Sequence, residues 1–307
     1  MSEFLEYVQS IQGQILSLSW EHVELTLLSV ILAIAIGVPL GILISYLKKL
    51  TKPVLGIANI VQAIPSLALL GFAIPFLGIG SKPAIFMVIL YSLLPIIKNT
   101  YTGIQSIPDQ TLEAAKGIGM TRAQILIKVQ IPMALPIIMA GVRISAVTAV
   151  GLMTIAAFIG AGGLGYLVYS GIRTSNNMQI LAGAVPACIL ALVIDSFMGI
   201  LERVVVPEGL TIGNLQTNRP VCKSTKLIVS LLCLCLLMAS VGGRLMKGVS
   251  KDALHIGSSD MSEQLILGNM YADMIEAKTD YKVQRDLSLG GVQICFSALQ
   301  NGQIDMY

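Results

Sequence analysis

Val-Glu-Leu-Thr-Leu-Leu-Ser-Val-Ile-Leu-Ala-Ile-Ala-Ile-Gly-Val-Pro-Leu-Gly-Ile-Leu-Ile-Ser-Tyr-Leu, residues 23–47, is an apolar run stopped abruptly by Lys48, Lys49 and Lys52. A hydrocarbon core about 30 Å thick is crossed by ~20 such residues in a helix. Reading outward, comparable runs extend from about Pro53 to Leu77, Pro83 to Ile104, Ile131 to Ile159 and Ile180 to Leu201. The whole chain is 55% hydrophobic and 12% charged, against roughly 25% charged in a soluble domain. The expected class is therefore an all-α polytopic membrane protein with five core helices, in contact with membrane lipid. Residues Met1 to Trp20, with Glu3 and Glu6 among apolar residues, are too broken to span and read as an amphipathic lead-in on the membrane surface.

Met1 to Leu47 contains neither Lys nor Arg, whereas three lysines follow directly. The positive-inside rule therefore puts the N-terminus outside. Alternation then places the polar stretch Gln105–Gln130 inside, the Gly160–Met178 connection outside, and Arg203, Arg219, Lys223 and Lys226 inside. A further apolar run from Leu227 to about Val241, preceded by lysines and trailed by Ala239, Ser240, Gly242 and Gly243, has two readings. It is a sixth, anchoring helix, or a segment cleaved after the small residues. The expected divisions are a membrane domain over 1–210, a linker with an extra helix over 211–250, and the start of an external domain over 251–307.

Cys188, Cys222, Cys233, Cys235 and Cys295 show no zinc spacing and no disulfide framework, and with only His22 and His255 present a metal centre is not expected. Arg143 and Asp195 lie within apolar runs, where a charge is costly unless it pairs or faces water, so both are expected to point into the bundle. A mutual pair is one reading and a thin proton relay the other. Gly37 and Gly41 form one Gly-x-x-x-Gly step, a close-packing face. Pro39, Pro65, Pro75, Pro95, Pro136 and Pro186 interrupt helices and allow bending near a central cavity.

The polar stretch contains Glu113-Ala114-Ala115-Lys116-Gly117-Ile118-Gly119, followed by Pro132 and Pro136. Small residues at 114 and 115 permit close approach to another surface, Gly119 permits a sharp turn, and Pro132 suits the first position of a new helix. Helix, turn and helix follow, projecting from the inner face. This order and spacing resembles the EAA motif of binding-protein-dependent ABC importer permeases. The resemblance implies a type I ABC importer permease fold, in which Glu113, Ala114, Ala115, Lys116, Gly117 and Gly119 form the coupling helix that seats in a cytoplasmic ATPase. It also implies a permease homodimer on an ATPase dimer. No Gly-x-x-x-x-Gly-Lys-Ser/Thr occurs in the chain. ATP and magnesium accordingly belong to a partner ATPase chain, and this chain is expected to hold no cofactor and to catalyse no bond change.

Gly160-Ala161-Gly162-Gly163-Leu164-Gly165 satisfies the dinucleotide pattern Gly-x-Gly-x-x-Gly but follows a membrane helix rather than a strand, so a nucleotide site is rejected. Ala-Gly-Gly-Leu-Gly segments are similar to those of these permeases, and the resemblance implies a tight turn at the external gate formed by Gly160, Gly162, Gly163 and Gly165. A plain loop is the alternative.

From Leu254 the pattern changes to strand, helix opened by Ser262, strand from Tyr281 to Leu289, short helix to Leu299, and a third strand beginning at Ile304. Parallel strands need neighbours and covering helices, so ~55 residues read as a truncated α/β lobe. Gly257-Ser258-Ser259-Asp260-Met261-Ser262-Glu263-Gln264 and Gln303-Ile304-Asp305-Met306-Tyr307 resemble binding proteins for glycine betaine, carnitine and choline. The resemblance implies a type II periplasmic-binding-protein lobe fused to its permease, of the osmoprotectant-uptake type that includes ergothioneine importers. A trimethylammonium solute held by cation–π contact is the implied ligand, with Ser259, Asp260 and Tyr307 as implied contacts. Ser259 and Met261 depart from the Lys and Phe common in the family, which weighs against betaine or choline and leaves room for ergothioneine. The implied location is the bacterial inner membrane, with no nucleic-acid partner. The competing class is an ion-coupled carrier of a small amine.

Overall fold

The computed structural model describes residues 2–206, 253–259, 261–279, 281–287, 289, 292–300, 302 and 304–307. The expected linker, the Leu227–Val241 segment and its cleavage, the 210/211 boundary and Asp260 lie outside the described residues.

Among the described residues, ten α-helices precede the lobe. They are α1 (Ser2–Ser10), α2 (Gln12–Tyr46), α3 (Lys48–Ala63), α4 (Ser66–Leu77), α5 (Ser81–Gln105), α6 (Asp109–Gly117), α7 (Arg122–Ile125), α8 (Ile131–Ala156), α9 (Gly165–Arg173) and α10 (Asn177–Val205). Helix α2, the Arg122–Ile159 run containing α8, α5 and α10 are each long and apolar enough to cross a membrane. The pair α3 and α4, bent by 100°, makes a fifth span if it is one. Residues 12–20 are not a separate surface segment: α2 begins at Gln12 and runs without interruption to Tyr46. At 1.5 Å per residue it is roughly 50 Å long, well beyond the hydrocarbon thickness.

The core is α5 sandwiched between α2 and α8. Small residues set these distances. A methyl at Gly37 would lie 2.8 Å from Ile96, and one at Gly41 2.6 Å from Thr100, so the Gly-x-x-x-Gly face is where α5 approaches α2. Across the other face, Gly141 meets the Pro95 carbonyl in the same way. Ala33, Met87, Ile96, Ala134, Ala149 and Met153 are buried between the three helices.

The expected second span is broken at Ile64–Pro65. Pro65 has no N–H to continue the ladder, and Ile64 adopts an extended conformation with ψ 131°. The Ile64 carbonyl freed by the break accepts a hydrogen bond from the Tyr91 hydroxyl on α5, which satisfies a polar group that lipid could not.

In the lobe, β1 (Ala253–Gly257) pairs in parallel with β2 (Lys282–Asp286), and an isolated parallel bridge joins Ile256 to Met306. Helix α11 (Ser262–Lys278) connects the two strands and α12 (Val292–Gln300) follows. Ser262 is the first helical residue, not the cap: Met261 holds that position, without a side-chain hydrogen bond. The order β2, β1, 306 matches the expected βαβ start. His255 ties it together, its Nδ1 2.7 Å from Asp286 and its backbone N–H donating to Asp305 at 2.8 Å.

Candidate functional site

Three places carry the residues singled out by the sequence. The first is the end of the bundle that holds Lys48, Lys49 and Lys52. The Gln105 side chain donates to the Ser45 carbonyl at 3.0 Å, and the Tyr46 hydroxyl donates to Gln130. Both ends of the 105–130 stretch are thus pinned beside the lysine turn. Between them, α6 opens with Asp109 and closes with Lys116, charges that complement its dipole. It ends in a Schellman motif: Met120 N–H donates to the Ala115 carbonyl at 3.2 Å and Gly119 N–H to the Lys116 carbonyl at 2.9 Å. The motif requires a left-handed residue, and Gly119 supplies it at φ 83°. Thr121 and Gln124 then form a capping box that starts α7.

Of the predicted coupling residues, Glu113, Ala114, Lys116, Gly117 and Gly119 are exposed and Ala115 is buried under them. Ala115 therefore lies on the inner side of the helix–turn–helix, where α6 meets α7, while the others present an outward face. Ile118, 79% exposed, stands at the tip between Gly117 and Gly119. It extended no apolar run, so the motif's spacing singled out its neighbours and not Ile118 itself. Its two glycine neighbours are open as well, with nothing within 4 Å of where a side chain would sit at either.

The second place is the glycine loop at the opposite end of α8. Gly160, Gly162 and Gly163 have φ of 73°, 82° and 71°. The connection between the fourth and fifth spans is itself partly helical, α9 beginning at Gly165. No strand precedes the loop, so its Gly-x-Gly-x-x-Gly spacing has no dinucleotide context. The loop closes on α2 instead: Gly163 N–H donates to the Glu21 carboxylate at 2.9 Å. Gly80 N–H donates to the Ile159 carbonyl at 2.9 Å, which brings the turn before α5 to the same spot. The lobe also reaches it, with Leu289 O 3.1 Å from the methyl position of Gly160 and with Ile79, Ala298 and Ile304 clustered.

The third place is a cavity of about 430 Å³ in the lobe, lined by Ser258, Gln264, Leu267, Tyr271, Met306 and Tyr307 among others. Tyr307 is one of the predicted contacts. Ser259 is fully buried and its hydroxyl has no hydrogen-bond partner; it does not line the cavity. Tyr271 was missed, although Gln264, Leu267, Gly268 and Tyr271 fall at helical spacing along one stripe of α11.

Arg143 and Asp195 are brought together as a two-pronged pair, Nε to Oδ1 at 2.6 Å and Nη2 to Oδ2 at 2.7 Å, joining α8 to α10. Glu202 lies 3.9 Å from Nη1. The pair is 39% and 40% exposed rather than enclosed by the bundle, because α10 covers only one side of α8. A planar guanidinium locked onto a carboxylate neutralises both charges within the span.

Comparison with known proteins bears on all three places. Residues 33–207 match the family described as the binding-protein-dependent transport system inner membrane component. Residues 252–307 match the substrate binding domain of ABC-type glycine betaine transport systems. The choline transport system permease protein OpuBB of Bacillus subtilis (strain 168) is 43% identical over 210 residues, 68% of this chain and 97% of that protein. The osmoprotectant import permease protein OsmW of Salmonella typhimurium is 47% identical over 211 residues, 67% of this chain and 98% of the relative. Among solved structures, an inward-facing conformation of the MetNI methionine ABC transporter superposes with a TM-score of 0.60 at 28% identity. That match covers 64% of this chain and 99% of the other.

Proposed function

Since the chain belongs to the family of binding-protein-dependent transport system inner membrane components, a transporter component and not an enzyme, we propose that it is the permease subunit of an ATP-driven importer for a quaternary-ammonium osmoprotectant. Choline, glycine betaine and carnitine are the solutes named for its relatives. Two copies form the pathway through the inner membrane, each seated on one subunit of a cytoplasmic ATPase dimer that holds ATP and magnesium. The lysine end faces the cytoplasm, in keeping with the positive-inside rule. The glycine loop and the lobe face outward, where an incoming solute is caught.

The observation that carries this reading is the exposed α6 turn. A rigid, doubly capped helix–turn–helix, anchored by Ala115 and tipped by Ile118, is suited to seating in a groove of a moving partner. Closure of the ATPases on ATP then drives α6, and with it α8, as a lever, opening the pathway between the two permease copies outward; hydrolysis restores the inward-facing state. In the lobe, Tyr307 and Tyr271 supply ring faces for a trimethylammonium head. The paired Arg143 and Asp195 leave no free carboxylate for a proton relay at that point in the span, which favours ATP coupling over an ion-coupled carrier.

The test is uptake of labelled choline, glycine betaine, carnitine and ergothioneine by the permease reconstituted in vesicles with its ATPase. Uptake is expected to persist when ion gradients are collapsed and to stop when ATP is withheld. Gradient-driven uptake in the absence of ATP would overturn the proposal.

A further inference from the structure

The glycine loop is gripped from α2 by two adjacent side chains. The Glu21 carboxylate accepts the Gly163 N–H at 2.9 Å. It also occupies the space that any side chain at Gly162 would need, a methyl there falling 2.6 Å from the carboxylate oxygens. His22, the next residue, is fully buried. Its Nε2 lies 3.1 Å from the Val150 carbonyl on α8, its Nδ1 has no hydrogen-bond partner, and a methyl at Gly163 would lie 2.9 Å from that Nδ1. The two glycines are therefore spaces shaped by Glu21 and His22. Leu164, between them and α9, is completely buried while the grip holds.

The two residues divide the labour. The His22 contact to a helix carbonyl belongs to the body of the bundle, joining α2 to α8. The Glu21 contact is to a loop N–H, charge-assisted and at a half-buried position. A bond of that kind contributes to stability yet can be exchanged for water without leaving a buried group unsatisfied. The geometry points to Glu21 as a positioning residue for transport: it latches the outer gate shut by holding Gly162 and Gly163 against α2, with His22 as the fixed seat behind them. Release of the latch lets the loop swing and uncovers Leu164.

This inference rests on the importer reading, and the experiment separates the two. In the assembled permease–ATPase complex, with the five cysteines replaced by alanine, Leu164→Cys is labelled from the outside by a membrane-impermeant maleimide without ATP. With Glu21 intact the reporter is expected to be nearly unreactive. Glu21→Ala should raise the labelling rate by roughly tenfold, the order expected for losing one charge-assisted hydrogen bond. Glu21→Gln keeps an acceptor oxygen and should fall between the two. Gly162→Ala, strained by its left-handed backbone as well as by the carboxylate, should raise labelling at least as much as Glu21→Ala, and part of its effect should disappear in the Glu21→Ala background, where the clash with the carboxylate is gone. Should the alanine variant fail to co-purify with the ATPase, Glu21→Gln and Gly162→Ala decide by the same criterion. Equal labelling in the presence and absence of the Glu21 carboxylate, or full additivity with Gly162→Ala, overturns the latch. Failure of the unmodified complex to import any solute would sink the importer reading and leave the labelling comparison standing.

Discussion

Helices α6 and α8 end in the same way and to opposite purpose. At α6, Met120 and Gly119 donate to Ala115 and Lys116; at α8, Ala161 and Gly160 donate to Ala156 and Ala157, again a six-to-one bond paired with a five-to-two bond around a left-handed glycine. Around Gly119 and Gly117 nothing lies within 4 Å of where a side chain would sit. After Gly160, by contrast, Gly162, Gly163 and Gly165 are wedged against Glu21, His22 and Thr154. One backbone motif thus stands at one end as an open surface and at the other as a joint closed by the molecule's own side chains. Glycine content alone does not distinguish the two; what faces the glycine does.

Substitutions at matched positions sharpen the contrast. The largest effect is expected at Gly165, where a side chain would overlap the Thr154 carbonyl oxygen. Gly165→Val should lower stability by about 3 kcal/mol, read as a large drop in thermal midpoint of the detergent-purified protein; an unchanged midpoint would break the claim that this loop is close-packed. Next comes Ile118→Asp at the open end. The Ile118 side chain is 79% exposed, so the midpoint should stay within ~0.5 kcal/mol of the parent, while, if the tip docks as proposed, affinity for the ATPase falls by at least about tenfold. Co-purification and titration of the ATPase measure this, and equal affinity would remove the docking role from the tip. The smallest effect is expected at Gly117, helical and unobstructed. Gly117→Ala should raise stability by up to ~1 kcal/mol through helix propensity, in opposite sign to Gly165→Val.

Much of this was legible in the residues. The apolar runs located every long helix, because a bilayer demands a length and a composition that few other contexts produce. The Glu113–Gly119 spacing located the exposed helix and its turn, since Schellman geometry depends on a glycine at one position. The boundaries were less legible. Residues Met1 to Trp20 read as a surface segment because Glu3 and Glu6 stand among apolar residues, yet α2 already begins at Gln12; Glu21, near its start, has its partner 142 residues away. The break at Ile64–Pro65 was foreshadowed by proline, but proline at 39, 95, 136 and 186 lies inside continuous helices. Whether a proline bends or breaks a span is decided by whether a neighbour, here Tyr91, can take up the carbonyl it frees.

Local chemistry, then, was enough to establish a membrane bundle, its exposed polar helix and turn, and the βαβ order of the lobe, because spans, caps and turns depend on residues close in the chain. Folding in three dimensions decided which charges meet, as with Arg143 and Asp195, and which glycines are open. It also decided that the Glu21 carboxylate meets the Gly163 N–H and that His22 is buried beside it. Those outcomes depend on contacts between residues far apart in sequence, whose partners no local pattern specifies.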